Sequence, residues 1–249
     1  MYLWYVPKDT IPFFFRLHLL IGFLIFVYLY VSFILGIPHN ASGVLKINPM
    51  TQDVSVLYAD DDEMLPEGKW KWHGGLAALD GNKIIGFPNN ADCILIVDVL
   101  TQRVYTVGDG SIIQSGRHRI PQDGRYKYLG GALSYDGVYT YLFPCDAERV
   151  LRFHNTTEEI QLIGPYLLEG ENKYQNGFVS SIDKCLYGIP QRASGILRIT
   201  PDDTVDVLYC GDEMVSIKDK FEGGVLCPTN GHIYCIPMRA KECIKVIPG

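Results

Sequence analysis

An all-β fold built from repeated four-stranded units is predicted by three observations on this 249-residue chain. First, one phrase recurs five times, as GIPHNASGVLKI (36–47), GFPNNADCILIV (86–97), LFPCDAERVLRF (142–153), GIPQRASGILRI (188–199) and CIPMRAKECIKV (235–246). Its core is Pro-x-x-Ala followed by an apolar strand, and Pro38, Pro88, Pro144, Pro190 and Pro237 are spaced by 50, 56, 46 and 47 residues. Second, KWHGG (71–75), KYLGG (127–131), KYQNG (173–177) and KFEGG (220–224) each end 13 residues before their proline. Third, short runs rich in Ile, Val and Tyr alternate with turn signals such as Asp80-Gly81-Asn82 and Asp136-Gly137, where glycine accepts the positive φ of a tight hairpin. In the second unit the strands are expected at 75–79, 83–88, 93–98 and 103–107. Four antiparallel strands every 46 to 56 residues are the pattern of a β-propeller blade.

Composition agrees with a folded, non-nucleic-acid-binding protein. Apolar residues make up 47%, charged residues 20%, and the net charge is −6. A phosphate-gripping surface needs the opposite sign. Seven cysteines occur without a Cys-x-x-Cys pair. Most lie in apolar runs, where a free cysteine packs as a small hydrophobe. One or two disulfides become an alternative if the chain is exported.

Taken in order, the chain opens on a segment unlike the rest. Residues 17–35, LHLLIGFLIFVYLYVSFIL, contain no charged side chain. That length spans a bilayer as a helix, and Lys8 and Arg16 before it predict a cytoplasmic N-terminus. The expected arrangement is a single-pass membrane protein with its C-terminal domain extracellular or lumenal. Asn40-Ala-Ser42 and Asn155-Thr-Thr157 would then be glycosylation acceptors, Asn40 and Asn155.

Propeller units follow over 36–249: a partial blade at 36–70, blades at 71–126, 127–172 and 173–219, and a partial blade at 220–249. The first unit lacks its Lys-x-x-Gly-Gly half, since counting back 13 residues from Pro38 lands on Ile25, inside the apolar segment. Residues 33–37 cannot be bilayer helix and blade strand at once. Two arrangements are open at this point: an N-terminal strand completes the last blade and closes a five-bladed ring, or the ring is incomplete and part of a larger propeller.

The pattern Lys-[Trp/Tyr/Phe]-x-Gly-Gly, about ten residues, then Gly-Ile-Pro-x-x-Ala-x-x-Val-Leu-x-Ile resembles a repeat of many-bladed β-propeller proteins, mostly of protists and algae. It is broadly similar to Kelch and YVTN-type propellers. The resemblance implies the fold over 36–249 and carries no chemistry.

Candidate sites divide by whether they obey the repeat. In the usual propeller order the Lys-x-x-Gly-Gly and Pro-x-x-Ala loops share one face. Lys71, Lys127, Lys173 and Lys220 would then ring the channel mouth and attract a small anion or acidic glycan. The alternative is that each lysine pairs with a backbone carbonyl or an acid, as a device repeated in every blade should. Asp61, Asp62, Glu63, Asp212 and Glu213 lie in equivalent linkers. They could supply oxygens to Ca²⁺, but no EF-hand spacing accompanies them, and a solvated loop is the competing reading. The second unit is longer than the fourth by nine residues, near 109–125, and the surplus holds Arg117-His118-Arg119. An elaborated loop on a rigid scaffold is where binding concentrates.

No Gly-x-Ser-x-Gly, His-Glu-x-x-His or phosphate-binding glycine loop is present. The sequence therefore favours a non-catalytic, membrane-tethered binding module for a protein, glycan or small anion. The alternatives are a propeller hydrolase of lactonase or esterase type with a metal in its channel, and a fragment of a larger propeller.

Overall fold

The computed structural model describes residues 3–5, 33–59, 65–117, 123–168 and 170–249. Five antiparallel sheets follow one another along the chain, all but the last with four strands. The first holds β1 (Leu3–Tyr5), β2 (Ile34–Gly36), β3 (Val44–Ile47) and β4 (Val54–Leu57). The second holds β5 (Trp72–Ala77), β6 (Lys83–Pro88), β7 (Ile94–Asp98) and β8 (Val104–Val107). The third holds β9 (Tyr128–Leu133), β10 (Tyr139–Pro144), β11 (Val150–His154) and β12 (Ile160–Ile163). The fourth holds β13 (Tyr174–Val179), β14 (Leu186–Pro190), β15 (Gly195–Ile199) and β16 (Val205–Tyr209), after which comes the one-turn helix α1 (Asp212–Val215). The fifth has β17 (Phe221–Leu226), β18 (Ile233–Pro237) and β19 (Ile244–Val246).

The second unit's strands fall within three residues of the expected positions at either end. The N-terminus does not. The expectation of a strand completing the last blade is corrected: residues 3–5 form the inner strand of the first blade, with Leu3 opposite Gly36 and Tyr5 opposite Ile34. The expected helix over 17–35 is cut back at its end, because Ile34–Gly36 is a strand. The remainder of that helix lies outside the described residues. Among those described, no helix is long and apolar enough to cross a membrane.

Burial sits between blades. The four apolar clusters join blades one and two, two and three, three and four, and four and five. Alternation along each strand sends one set of side chains to the preceding blade and the other to the next. Leu95 and Val97 pack backwards against Leu35 and Ile37, while Ile94 and Ile96 pack forwards with Leu142 and Phe153.

Both repeated phrases are explained by one joint. Each lysine follows a residue in the left-handed region: Trp70 (φ 60), Tyr126 (φ 53), Asn172 (φ 51) and Asp219 (φ 52). That bend turns the lysine N–H towards the preceding blade, where it donates to the carbonyl after the proline. Lys71 bonds to His39, Lys127 to Asn89, Lys173 to Cys145 and Lys220 to Gln191, at 2.8–3.0 Å. Each lysine carbonyl in turn accepts the N–H after its own blade's proline, from Asn89, Cys145, Gln191 and Met238. The alanine of Pro-x-x-Ala donates to the same carbonyl in all four cases. A continuous backbone belt thus runs from His39 to Met238. The aromatic after three of the four lysines is fixed by a hydrogen bond: Trp72 Nε1 donates to Cys93 O, Tyr128 Oη to Arg149 O and Tyr174 Oη to Gly195 O, each 21 residues on, while Phe221 after Lys220 has no such donor.

Among the described residues, apolar side chains at the two ends of the array are exposed. Val54 is 65% exposed, whereas its counterparts Val104 and Val205 are buried against the preceding blade. Ile236 is 49% exposed, whereas Ile37, Phe87, Phe143 and Ile189 at the same repeat position are buried.

Candidate functional site

Belt residues are consumed by structure. Lys71, Lys127, Lys173 and Lys220 are all buried. Lys71 Nζ donates to Ala41 O at 2.6 Å, and Lys127 Nζ to Asn90 O at 2.9 Å, to Gly124 O and to Asp92 Oδ1 at 3.0 Å. Lys173 and Lys220 donate to Gly170 O and Ile217 O, each at 3.0 Å. Burial lowers the affinity of Lys71 and Lys127 for the proton, with Asp92 opposing at Lys127. The lysines are therefore not an exposed ring of charge. Lys71 and Lys127 bond to carbonyls of the preceding blade, Lys127, Lys173 and Lys220 to a carbonyl of the turn just before the lysine, and Lys127 to the Asp92 carboxylate as well.

The long second unit behaves differently. Residues 109–117 leave β8, bury Ile113 in the interface of blades two and three, and fasten to blade three. Gly116 N–H donates to Asp146 O at 2.8 Å, and Arg117 N–H to Glu148 Oε1 at 2.8 Å. A cavity of about 350 Å³ opens beside this fastening, bordered by Gln114, Arg117, Tyr128, Glu148, Arg149 and Tyr166 among others. Two guanidinium groups flank one ring, with Arg117 5.3 Å and Arg149 5.6 Å from the Tyr166 centroid. Arg117 Nε pairs with Glu148 at 3.2 Å, and Arg149 Nε donates to Gly164 O at 3.0 Å. Stacking and pairing hold both cations in place, the arrangement that suits planar recognition of a carboxylate. Of the loop's three expected binding residues, Arg117 lines this cavity, and His118 and Arg119 lie outside the described residues.

A second cavity, about 830 Å³, lies between the same two blades at the hairpin ends, bordered by Asp80, Asp98, Asp136 and His154 among others. Its carboxylates are already spent on turns. Asp98 accepts the N–H groups of Leu100 and Thr101, Asp80 that of Asn82, and Asp136 that of Val138.

Near the inner strands stands a group that sequence reasoning missed. The residue after each proline keeps one backbone role yet varies in chemistry: His39, Asn89, Cys145, Gln191 and Met238. Asn89 is fully buried with both side-chain polar atoms unpaired, and His39 Nε2 is buried and unpaired. His39 lies 6.1 Å from the His73 ring, whose Nδ1–H donates to Leu129 O of the next blade at 3.0 Å. Burial lowers the proton affinity of both imidazoles, and at His39 the neighbouring His73 adds to it. The signal that could have found this group is a position where the repeat conserves its backbone but not its side chain.

The remaining expectations separate. Asp212 and Glu213 are exposed on α1, and Tyr209 Oη donates to Asp212. Asp61, Asp62 and Glu63 lie outside the described residues, and no group of three metal-ligating side chains stands together among those described. Asn40 is exposed, its Oδ1 accepting the Trp70 N–H. Asn155 is corrected as a glycan acceptor: it is buried, with Nδ2 bound to Gly137 O at 2.8 Å and Oδ1 accepting from Thr140. All seven cysteines are free, and burial pushes the Cys235 thiol up to about 12.

No family model matches this sequence, and no curated protein matches it. Solved structures do share its fold. Virginiamycin B lyase from Staphylococcus aureus is similar at a TM-score of 0.59 and 14% identity, over 86% of this chain and 65% of that one. A Bacteroides thetaiotaomicron protein of unknown function is similar at 0.52 and 14%, over 82% and 50%. A nidogen/laminin complex contains a similar chain, at 0.52 and 10%, over 86% and 70%. The chain thus spans half to about two-thirds of the length of the first of these structures. At such identities the likeness shows a propeller-type repeat fold and nothing about activity.

Proposed function

We propose that this chain is a non-catalytic propeller module that binds a protein partner through the cavity beside Arg117 and Arg149, taking an acidic side chain of that partner. One observation carries the reading. The insertion that breaks the repeat is fastened to blade three, and there two arginines bracket Tyr166 beside an open cavity. Symmetric positions serve packing, so a departure from symmetry with its own cavity is where recognition belongs. The nidogen/laminin likeness is compatible with protein binding and no more specific than that. Fluorescence anisotropy with a fluorescein-labelled glutamate hexapeptide tests the proposal. Arg149→Met should weaken binding about tenfold or more, on the scale of a lost charge-assisted contact. Arg239→Met, an exposed arginine on the fifth blade, should leave it unchanged. Equal affinity in all three proteins overturns the reading.

The apolar N-terminal segment enters this proposal as a membrane attachment holding the module at an extracellular or lumenal surface. Flotation of the full chain with phosphatidylcholine vesicles should recover it in the lipid fraction; recovery in the aqueous fraction alone argues against attachment.

A second reading, an enzyme acting near the inner strands, is favoured by the close His39–His73 pair and the unpaired buried amide of Asn89. Its test is hydrolysis of 4-nitrophenyl acetate, the esterase chemistry the sequence offers as an alternative, followed by absorbance. Product formed by the natural chain and lost in His73→Ala would replace the binding reading.

A further inference from the structure

Interfaces between blades use a knob and a glycine. At two interfaces, those of blades three with four and four with five, the apolar residue before the proline points at an inner-strand glycine of the next blade. Ile37 Cγ2 lies 3.6 Å from where a Cβ on Gly86 would stand. A Cβ on Gly177 would come 2.5 Å from Phe143 Cε2, and one on Gly224 would come 2.5 Å from Ile189 Cδ1. A side chain at Gly177 or Gly224 would strike the knob, since close-packed interiors leave no slack for an added carbon. The fifth blade carries the same knob, Ile236, and it is 49% exposed. Val225, Met238 and Ile247 of the same blade are exposed as well.

We propose that this face of the fifth blade docks a further blade of the same repeat, one whose inner strand reads Lys-aromatic-x-Gly-Gly. Three features identify that occupant. Ile236 needs a strand with no side chain at the facing position. The belt continues to Met238, whose carbonyl holds the place that accepts the next lysine N–H at His39, Asn89, Cys145 and Gln191. The carbonyls at Arg239 and Ala240 hold the places that, at Asn90 and Ala91, accept the lysine ammonium. The chain's own first blade does not offer this surface. Leu3 pairs with Gly36 where Gly75, Gly177 and Gly224 pair with Gly86, Gly188 and Cys235. Leu3 thus stands at the register position that glycine holds in blades two, four and five.

The test extends the full chain after Gly249 with a second copy of its residues 203–249, which continues the 47-residue repeat in phase. Peroxide oxidation of Met238, followed by mass spectrometry, reads the cover on the face. In the extended chain oxidation should slow by about tenfold or more relative to the natural chain, as for a group reached only by local opening. Carrying Gly224→Leu in the added copy should return the rate to that of the natural chain. Equal oxidation in the natural and extended chains overturns the proposal, and so does equal protection with the leucine variant. Met238 already protected in the natural chain, with a dimer seen by sedimentation, overturns it in favour of a second copy.

Discussion

Ile189 and Ile236 occupy the same place in the same phrase, Ile-Pro-x-Arg-Ala, yet one is buried and the other is half open to solvent. Ile189 meets Gly224 of the following blade; Ile236 is 49% exposed, and no sheet follows its own among the described residues. The difference teaches that a repeat encodes the contact surface of a blade but not whether that surface is covered. Stability in such an array comes from intrinsic blade terms plus nearest-neighbour interfaces, so equal sequence at an inner and an end position should carry unequal energy.

Truncating the knob should separate inner from end blades most strongly. Phe143→Ala empties a fully buried position between blades three and four and should cost about 3–5 kcal/mol in urea unfolding. Ile236→Ala should stay within about 0.5 kcal/mol. Similar losses at both sites would mean that the fifth blade's face is covered in solution.

Glycine substitution should come next. A Cβ on Gly130 would overlap the Gln175 carbonyl oxygen of the next inner strand, whereas one on Gly223, its counterpart, has nothing nearer than Asn176 Nδ2 at 3.6 Å. Gly130→Ala should therefore cost about 3 kcal/mol and Gly223→Ala about 0.5 kcal/mol or less, both read by thermal unfolding. Equal effects would show that helix and strand propensities, not crowding between blades, govern these positions.

Lys127→Met keeps most of the side-chain volume but leaves the Asn90, Ala91 and Gly124 carbonyls without their donor. A cost of about 1–3 kcal/mol is expected, against no measurable change for Lys241→Met at the exposed rim. A neutral Lys127→Met would mean that water replaces the ammonium and that the belt depends on its backbone bonds alone.

The smallest effect is on pH. His39 and His73 bind protons less readily in the folded chain than their ordinary value of 6.5. The unfolded chain therefore takes up protons first as pH falls. Stability should decline with acidification from about 6.5 down to the lowered folded values, and be unaffected by these groups above that window. Urea midpoints at about pH 7.5 and 5.5 should differ less in the His39→Asn/His73→Asn variant than in the natural chain; an unchanged difference assigns the slope to other groups.

The blades were legible because their signals are local. Hairpins such as Asp80-Gly81 pair residues close in sequence, and the 13-residue offset between Gly75 and Pro88 is the register of β5 on β6. The inner strand of the first blade was not legible. Leu3–Tyr5 lacks the Lys-aromatic-x-Gly-Gly phrase and pairs with Ile34–Gly36 across about 30 intervening residues, a distance over which no periodicity operates. Arg117 was found for a local reason, since it sits in an insertion that breaks the count. The cavity it shares with Arg149 and Tyr166 joins three separate segments and could not be read from any one of them. The same holds for His39, His73 and Asn89.

The sequence by itself determined the strand order within blades two to four and the repeat spacing, because hairpin hydrogen bonding and alternation act between neighbours in the chain. Tertiary structure alone decided that the four lysines are buried, that Asn155 is spent on Gly137, that two arginines bracket one ring, and that the faces at Val54 and Ile236 stand open. Burial is a property of what packs against a residue, and in an array of like blades that depends on which neighbour is present.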